Sequence, residues 1–290
     1  MKLLFPCHPL DNKKVDDDYM EEHRAAKLQG HDCYLFNHDE FVRGEFKSDI
    51  PVIENSRAIL VLRSWMLNIP QYEELYGIID KMGYEFINTP EQYKNCHHFP
   101  ESYDYTKDHT SKAIFIKEWD ADILQDISNF FGDKDFLMKD FVKSAKGVPG
   151  LFKMPTGITG EELLKKVEEF VEHRGKLFSE GLVFKEFVSL KQYGDNVNEY
   201  RLFFYDRRLI SSTQNSNVKE SHSKPSIETY DFVKEIAGEI DSNFFTIDIA
   251  EMENGMWMII ETGDGQVSGL SPSQNCLEYY AEMQGQLKEK

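Results

Sequence analysis

The stretch from Phe244 to Gln266 limits the possible folds more than any other in this 290-residue chain, because it is two long apolar runs joined by Asn254-Gly255. Asn-Gly is the strongest short hairpin signal, since a type I′ turn needs positive φ at both central residues. With that pair as the turn, partner numbers across the hairpin share one sum. Glu253 then faces Met256, Met252 faces Trp257, Ala250 faces Ile259 and Asp248 faces Glu261. Directly opposed residues have Cβ atoms about 4.5–5.5 Å apart, and like charges placed so repel. Burial adds a desolvation penalty. Removing either acid should therefore relieve the fold, unless something positive lies between them. A hard divalent cation held by carboxylates and substrate phosphates answers that need. The alternative is a hairpin whose acids sit in water at its open end. Two features argue against it. The strands are apolar on both faces, and Glu261 runs into the glycine-rich "TGDGQVSG", where a ligand can approach the backbone.

A chain of this length buries a sizeable core and divides into two or three subdomains. Its formal charge of −18 disfavours binding to bulk nucleic acid or to an anionic membrane. Cys7, Cys33, Cys96 and Cys276 show no paired spacing, which reads as reduced thiols in a cytoplasm. The start, "MKLLFPCHPLDNKK", is too short in apolar residues for a signal segment, and no run approaches the roughly 18 needed to span a membrane.

The first part of the chain alternates strand and helix patterns. Strands are expected at 2–5, 33–36, 58–63 and 84–87, and helices at 15–29 and 71–83. That order argues a small parallel α/β domain over 1–110, without a GxGxxG. Residues 88–112 are polar and read as a connection. Cys96, His97, His98 and His109 fall there, but adjacent Cys-His-His cannot easily face one ion, so a surface loop is the better reading than zinc. Further on, a helix is expected at 122–132, then a strand into a Lys- and Gly-bearing loop. Thr159 and Glu162 form a capping box for the next helix. A strand at 182–190, a hairpin at 198–213 turning at Asp206-Arg207, and a helix at 228–240 follow.

Several charges interrupt apolar strands. Lys139 stands inside "FLMKDFV", and an unpaired buried ammonium is costly. Lys143, Ser144, Lys146 and Gly147 follow in a loop able to fold over phosphates, although it lacks the Walker A order. Lys185 and Glu186 point to opposite faces of their strand, and Glu199 and Arg201 share a face of the next hairpin. An arginine there is either a cross-strand ion-pair partner or a clamp on a phosphoryl group.

The order Lys strand, Lys/Gly loop, capped helix, Lys-Glu strand, Glu-x-Arg hairpin and paired Asp and Glu resembles the ATP-grasp family, in particular the clade marked by two lysines and an arginine. The resemblance covers roughly residues 110–280. It implies an α/β domain followed by an ATP-grasp fold of two α+β subdomains, 111–190 and 191–290, with nucleotide between them. Lys139 and Lys185 are implied to contact the adenine side and the α-phosphate, with Glu186, Phe187 and Val188 as the adenine-binding hinge and Glu199 also in the ATP site. Arg201 and Lys143 are the implied catalytic residues, and Asp248 and Glu261 the Mg²⁺ ligands. Many members carry an Asn two residues after the glutamate. Here that position is Gly263, and Asp264 is the substitute expected as third ligand. The implied activity is an ATP-dependent carboxylate–amine ligase using an acyl phosphate, with small-molecule or peptide substrates. A kinase with a hydroxyl acceptor and a nucleotide-binding module without turnover are the alternatives.

Overall fold

The computed structural model describes residues 1–142, 148, 150–215 and 222–288. The N-terminal part runs β1 (Lys2–His8), β2 (Asp11–Val15), α1 (Met20–Leu28), β3 (Asp32–Phe36), α2 (His38–Val42), β4 (Ala58–Leu62), α3 (Ile69–Lys81) and β5 (Tyr84–Phe86). β3, β1, β4 and β5 pair in parallel in that spatial order, and β2 folds back antiparallel on the end of β1. Leu3, Leu4, Phe5, Leu60, Val61 and Leu62 are wholly buried, as strands covered on both faces require. β2 takes only Val15 of the expected 15–29 helix; a 3₁₀ turn over Asp17–Tyr19, capped by Asp16, then leads into α1 at Met20.

The polar connection expected over 88–112 is instead two short helices, α4 (Pro90–His97) and α5 (Phe99–Thr106). Thr89 and Gln92 form a reciprocal capping box at the start of α4, and each helix carries proline in its first turn. Their polarity follows from narrow buried faces: Tyr93 and Cys96 in one, Phe99, Ser102 and Thr106 in the other.

The middle of the chain comprises β6 (Ala113–Ile116), α6 (Ala121–Phe131), β7 (Phe136–Asp140), β8 (Lys153–Met154), α7 (Gly160–Arg174) and β9 (Leu182–Glu186). The strands form an antiparallel sheet in the order β6-β9-β7-β8. The Thr159–Glu162 capping box is present. Gly160 lets α7 approach α6, since a Cβ there would collide with the Ala121 carbonyl. This part encloses its own core, with Leu124, Phe136, Met138, Leu163, Phe170 and Phe184 at its centre.

The last part comprises β10 (Gln192–Tyr193), β11 (Asn196–Val197), β12 (Glu199–Tyr205), β13 (Arg208–Gln214), α8 (Ile227–Glu239), β14 (Phe244–Glu251), β15 (Trp257–Asp264) and α9 (Cys276–Lys288). β13, β12, β14 and β15 form an antiparallel sheet in that order, and among the described residues β10 pairs only with β11. Asp206 and Arg207 take φ of 49° and 63° at the β12–β13 turn, as a type I′ turn requires. One face of the sheet packs on α8 through Leu202, Phe204, Phe245, Ile247 and Ile249. Phe203, Tyr205 and Phe244, on the other face, share a core with Leu3, Phe5, Tyr279 and Tyr280. Among the described residues no helix is long and apolar enough to cross a membrane.

Candidate active site

The β14–β15 hairpin brings Asp248 opposite Glu261, but by a different route from a two-residue turn. The Gly255 amide donates to the Met252 carbonyl, Met252 N–H donates to Met256, and Gly255 alone takes positive φ, 82°. This three-residue loop shifts the near end by one position, so Ala250 pairs with Met258 and Glu251 with Trp257. A bulge between Asp248 and Ile249 absorbs Ile260 and restores the register. Two offsets of one residue cancel, and Asp248 still meets Glu261. The bulge turns a backbone group toward the cleft, where Lys185 Nζ donates to the Ile260 carbonyl at 2.7 Å.

Strand register then sets a row of charges. Arg201 of β12 lies opposite Asp248, which lies opposite Glu261. Arg201 holds Asp248 through two bonds, Nε–Oδ1 at 2.9 Å and Nη2–Oδ2 at 2.6 Å. Lys139, from β7 of the facing sheet, closes the row with Nζ 3.2 Å from Glu261 Oε2. Burial alone would lower the Arg201 pKa, but Asp248 outweighs it and raises it above the ordinary value. The expected repulsion between the acids is therefore met by side-chain cations. This corrects the expectation that removing Asp248 relieves the fold, because the change would leave a largely buried guanidinium without its main partner.

Two cavities adjoin at this row. The smaller, about 80 Å³, is lined by His97, Arg201, Thr246, Asp248, Gly263 and Ser268, among others. The larger, about 300 Å³, is mainly apolar and is lined by Leu137, Lys185, Phe187, Val188, Glu199 and Met258, among others, with Glu186 also on its wall. Phe99, Lys139 and Glu261 border both. The Phe99 ring centroid lies 5.4 Å from Lys139 Nζ and 5.2 Å from Lys185 Nζ. The ring face favours both ammoniums and holds them at the junction.

The structure thus gathers Lys139, Lys185, Glu186, Phe187, Val188, Glu199, Arg201, Asp248 and Glu261 around one cleft. Lys143 and its loop lie outside the described residues. Asp264 does not join the acids. It is fully buried, accepts from Asn88 Nδ2 at 2.5 Å and from the Gln266 amide at 2.9 Å, and burial pushes its pKa up to about 7 against those bonds. Its place is the seam with the N-terminal sheet, three residues past Glu261. Gly263 has its own reason: a Cβ there would sit 2.8 Å from both Ser268 Oγ and Thr246 Oγ1. Those hydroxyls fill the space an Asn would need. Among the described residues no three His, Cys, Asp or Glu side chains converge on a metal position. Mg²⁺ needs only one or two carboxylates when phosphate and water supply the rest, so Asp248 and Glu261 fit it as a pair.

Sequence reasoning expects the first domain to contribute to an acceptor pocket but names none of its residues. Met66, His97 and Phe99 wall the smaller cavity. It also missed Arg63, which is fully buried, paired with Glu22 at 2.9 Å and bonded to the Gly265 carbonyl at 2.5 Å. The signal available was the Thr89–Gln92 cap, which would have placed His97 on a helix end.

Residues 102–283 match the sequence profile of the ATP-grasp domain, R2K clade family 3. The chain belongs to this family. A comparison with curated proteins finds no match. Among solved structures, this ATP-grasp chain is similar to D-cycloserine synthetase DcsG, with a TM-score of 0.64 and 10% identity over 99% of this chain and 100% of that one. It is also similar to D-alanyl-alanine synthetase A from Vibrio cholerae O1 biovar eltor, with a TM-score of 0.60 and 10% identity over 100% and 99% of the two chains. The ATP-grasp ligase PsnB complexed with minimal precursor, Mg and ADP gives 0.60 at 13% identity over 99% and 98%. At these identities the likenesses establish the shared fold.

Proposed function

We propose that this ATP-grasp chain is an ATP- and Mg²⁺-dependent carboxylate–amine ligase that works through an acyl phosphate. The observation that carries the reading is the junction of an apolar slot with a charged cavity, built from strands as far as 122 residues apart in sequence. The apolar slot suits a purine, with the backbone of Glu186 to Val188 beside it and Glu199 on its wall. Lys139 and Lys185, steadied by Phe99, suit the phosphates that follow. Asp248 and Glu261 would hold Mg²⁺, which when bound neutralises charge on the transferring phosphoryl group. Arg201, oriented by Asp248, presents its guanidinium to the smaller cavity and stabilises charge developing there.

In this reading a substrate carboxylate oxygen attacks the terminal phosphorus of ATP and ADP leaves. An amine then attacks the acyl carbon, the carbon–nitrogen bond forms, and phosphate departs with the bonding pair and takes up the proton the nitrogen gives up. The chain supplies mainly position and fixed charge, which is where phosphoryl-transfer enzymes find most of their rate. PsnB and D-alanyl-alanine synthetase A span peptide precursors and small amino-acid products by their names. A small-molecule or peptide acceptor entering past Met66 and His97 is proposed here.

The test is incubation with ATP, Mg²⁺ and panels of carboxylates and amines. Ligation releases ADP and free phosphate only when both partners are present. Phosphate retained on a hydroxyl acceptor would instead identify a kinase. Binding of ATP without ADP release under any pairing would identify a module without turnover.

A further inference from the structure

The ribbon of β10 and β11 has two residues in each strand and, among the described residues, pairs with no other strand. A two-stranded ribbon is marginal in water even when longer, so something outside it must hold it. Alternation along the ribbon separates two faces. Leu190, Gln192 and Val197 line the apolar slot. Lys191 and Tyr193 point the other way, onto Glu251 at the end of β14. Glu251 is 2% exposed and collects donors from three segments. Lys191 Nζ lies at 2.7 Å, Tyr193 OH at 2.9 Å and Asn198 Nδ2 at 2.8 Å, and Ser223 Oγ also donates to it. The backbone joins the same knot: Lys191 N–H donates to the Glu251 carbonyl at 2.9 Å, and Glu251 N–H to the Asn198 carbonyl at 3.0 Å. A carboxylate accepting from an ammonium and several neutral donors is a strong, directional tie.

We propose that Glu251 is a positioning residue that latches the Leu190–Val197 ribbon over the base end of the nucleotide slot, so that capture of the nucleoside depends on it. The inference rests on the ATP-binding reading given above. Burial raises the Glu251 pKa, yet the bonds from Lys191, Ser223, Asn198 and Tyr193 more than offset it and bring it down to about 2. The latch is thus charged throughout the neutral range. Asp248 lines only the smaller cavity and Glu261 borders both, whereas Leu190, Gln192 and Val197 line only the slot, so the latch acts on the nucleoside and not on the phosphates.

Calorimetric titration of Mg²⁺–ATP and of Mg²⁺–inorganic triphosphate tests this on wild type, Glu251→Gln and Tyr193→Phe. Tyr193 is outside the core, which makes its variant the safeguard should Glu251→Gln fail to fold. The latch predicts at least a tenfold weaker Kd for ATP in Glu251→Gln and about threefold in Tyr193→Phe, with triphosphate binding unchanged. Equal loss for ATP and triphosphate would mean a general structural role and overturn the proposal. So would wild-type ATP affinity in a folded Glu251→Gln or, if that variant does not fold, in Tyr193→Phe. Absence of ATP binding to wild type would overturn the nucleotide reading itself, and the latch with it.

Discussion

The two long seams of this molecule are built in opposite ways. Where the N-terminal sheet meets the C-terminal sheet, Leu3 and Phe5 share one core with Phe203, Phe244, Tyr279 and Tyr280. Several buried polar groups pair there: Arg63 with Glu22 and Gly265, Asn88 with Asp264 and the Phe244 carbonyl, Gln266 with Tyr72. Where the middle sheet faces the C-terminal sheet, its own core stays separate. The described links across that cleft include Lys139 to Glu261 and Lys185 to the Ile260 carbonyl. The first seam is a permanent fusion, since unpairing buried groups is costly. The second is held by charges and carbonyls that a nucleotide and its cation can replace. A substrate site needs contacts of that exchangeable kind.

The comparison can be broken most decisively at Arg201. Arg201→Ala should lower turnover by about 10³-fold or more, on the scale of arginines that stabilise phosphoryl transfer, with a much smaller change in ATP affinity. Steady-state kinetics beside calorimetry checks it, and reduced affinity with an unchanged rate would reassign Arg201 to binding alone. Arg63→Met probes the fused seam. It removes one partner of a fully buried pair and should cost about 3–5 kcal/mol in denaturant unfolding. Loss of ATP binding without loss of stability would contradict the division between the seams.

Asp264 offers a pH handle on the same seam. Its folded pKa of about 7 lies above the ordinary 3.8. A raised carboxyl pKa contributes stability that is fully present below the unfolded value and lost as pH rises through the folded one. Stability should therefore fall between about pH 4 and 7, by on the order of 4 kcal/mol from this group alone. Asp264→Asn should flatten that slope, measured as the denaturant midpoint against pH. The smallest expected effect is at Thr262, whose hydroxyl donates to the Cys96 carbonyl at 3.1 Å and ties α4 to β15. Thr262→Val should cost about 1 kcal/mol, seen as a modest loss of thermal midpoint.

What the sequence made legible divides along the same line. The cleft residues stand out because each is a charge inside an apolar strand: Lys139, Lys185, Arg201, Asp248 and Glu261. Such anomalies are local and can be read one strand at a time. The fused seam is hidden because its partners are remote. Arg63 looks like an ordinary strand-end charge until Glu22 and Gly265, 41 and 202 residues away, are brought to it. Read from sequence, Asp264 falls with the metal ligands for the same reason: its neighbour Asn88 is 176 residues distant. The Asp248–Glu261 pairing follows from the hairpin arithmetic, but only because a turn offset and a bulge cancel. Hairpin arithmetic sees neither, because bulges depend on what the sheet must approach, here Lys185.

The measurement closest to the centre of the account is titration of ATP into wild type and Glu261→Gln, with Mg²⁺ and again with the metal chelated. Wild type should bind, Mg²⁺ should strengthen its binding, and Glu261→Gln should lose most of that strengthening while its metal-free binding stays close to wild type. Metal-strengthened binding that is undiminished in the variant, or no heat from wild type at all, would contradict the account.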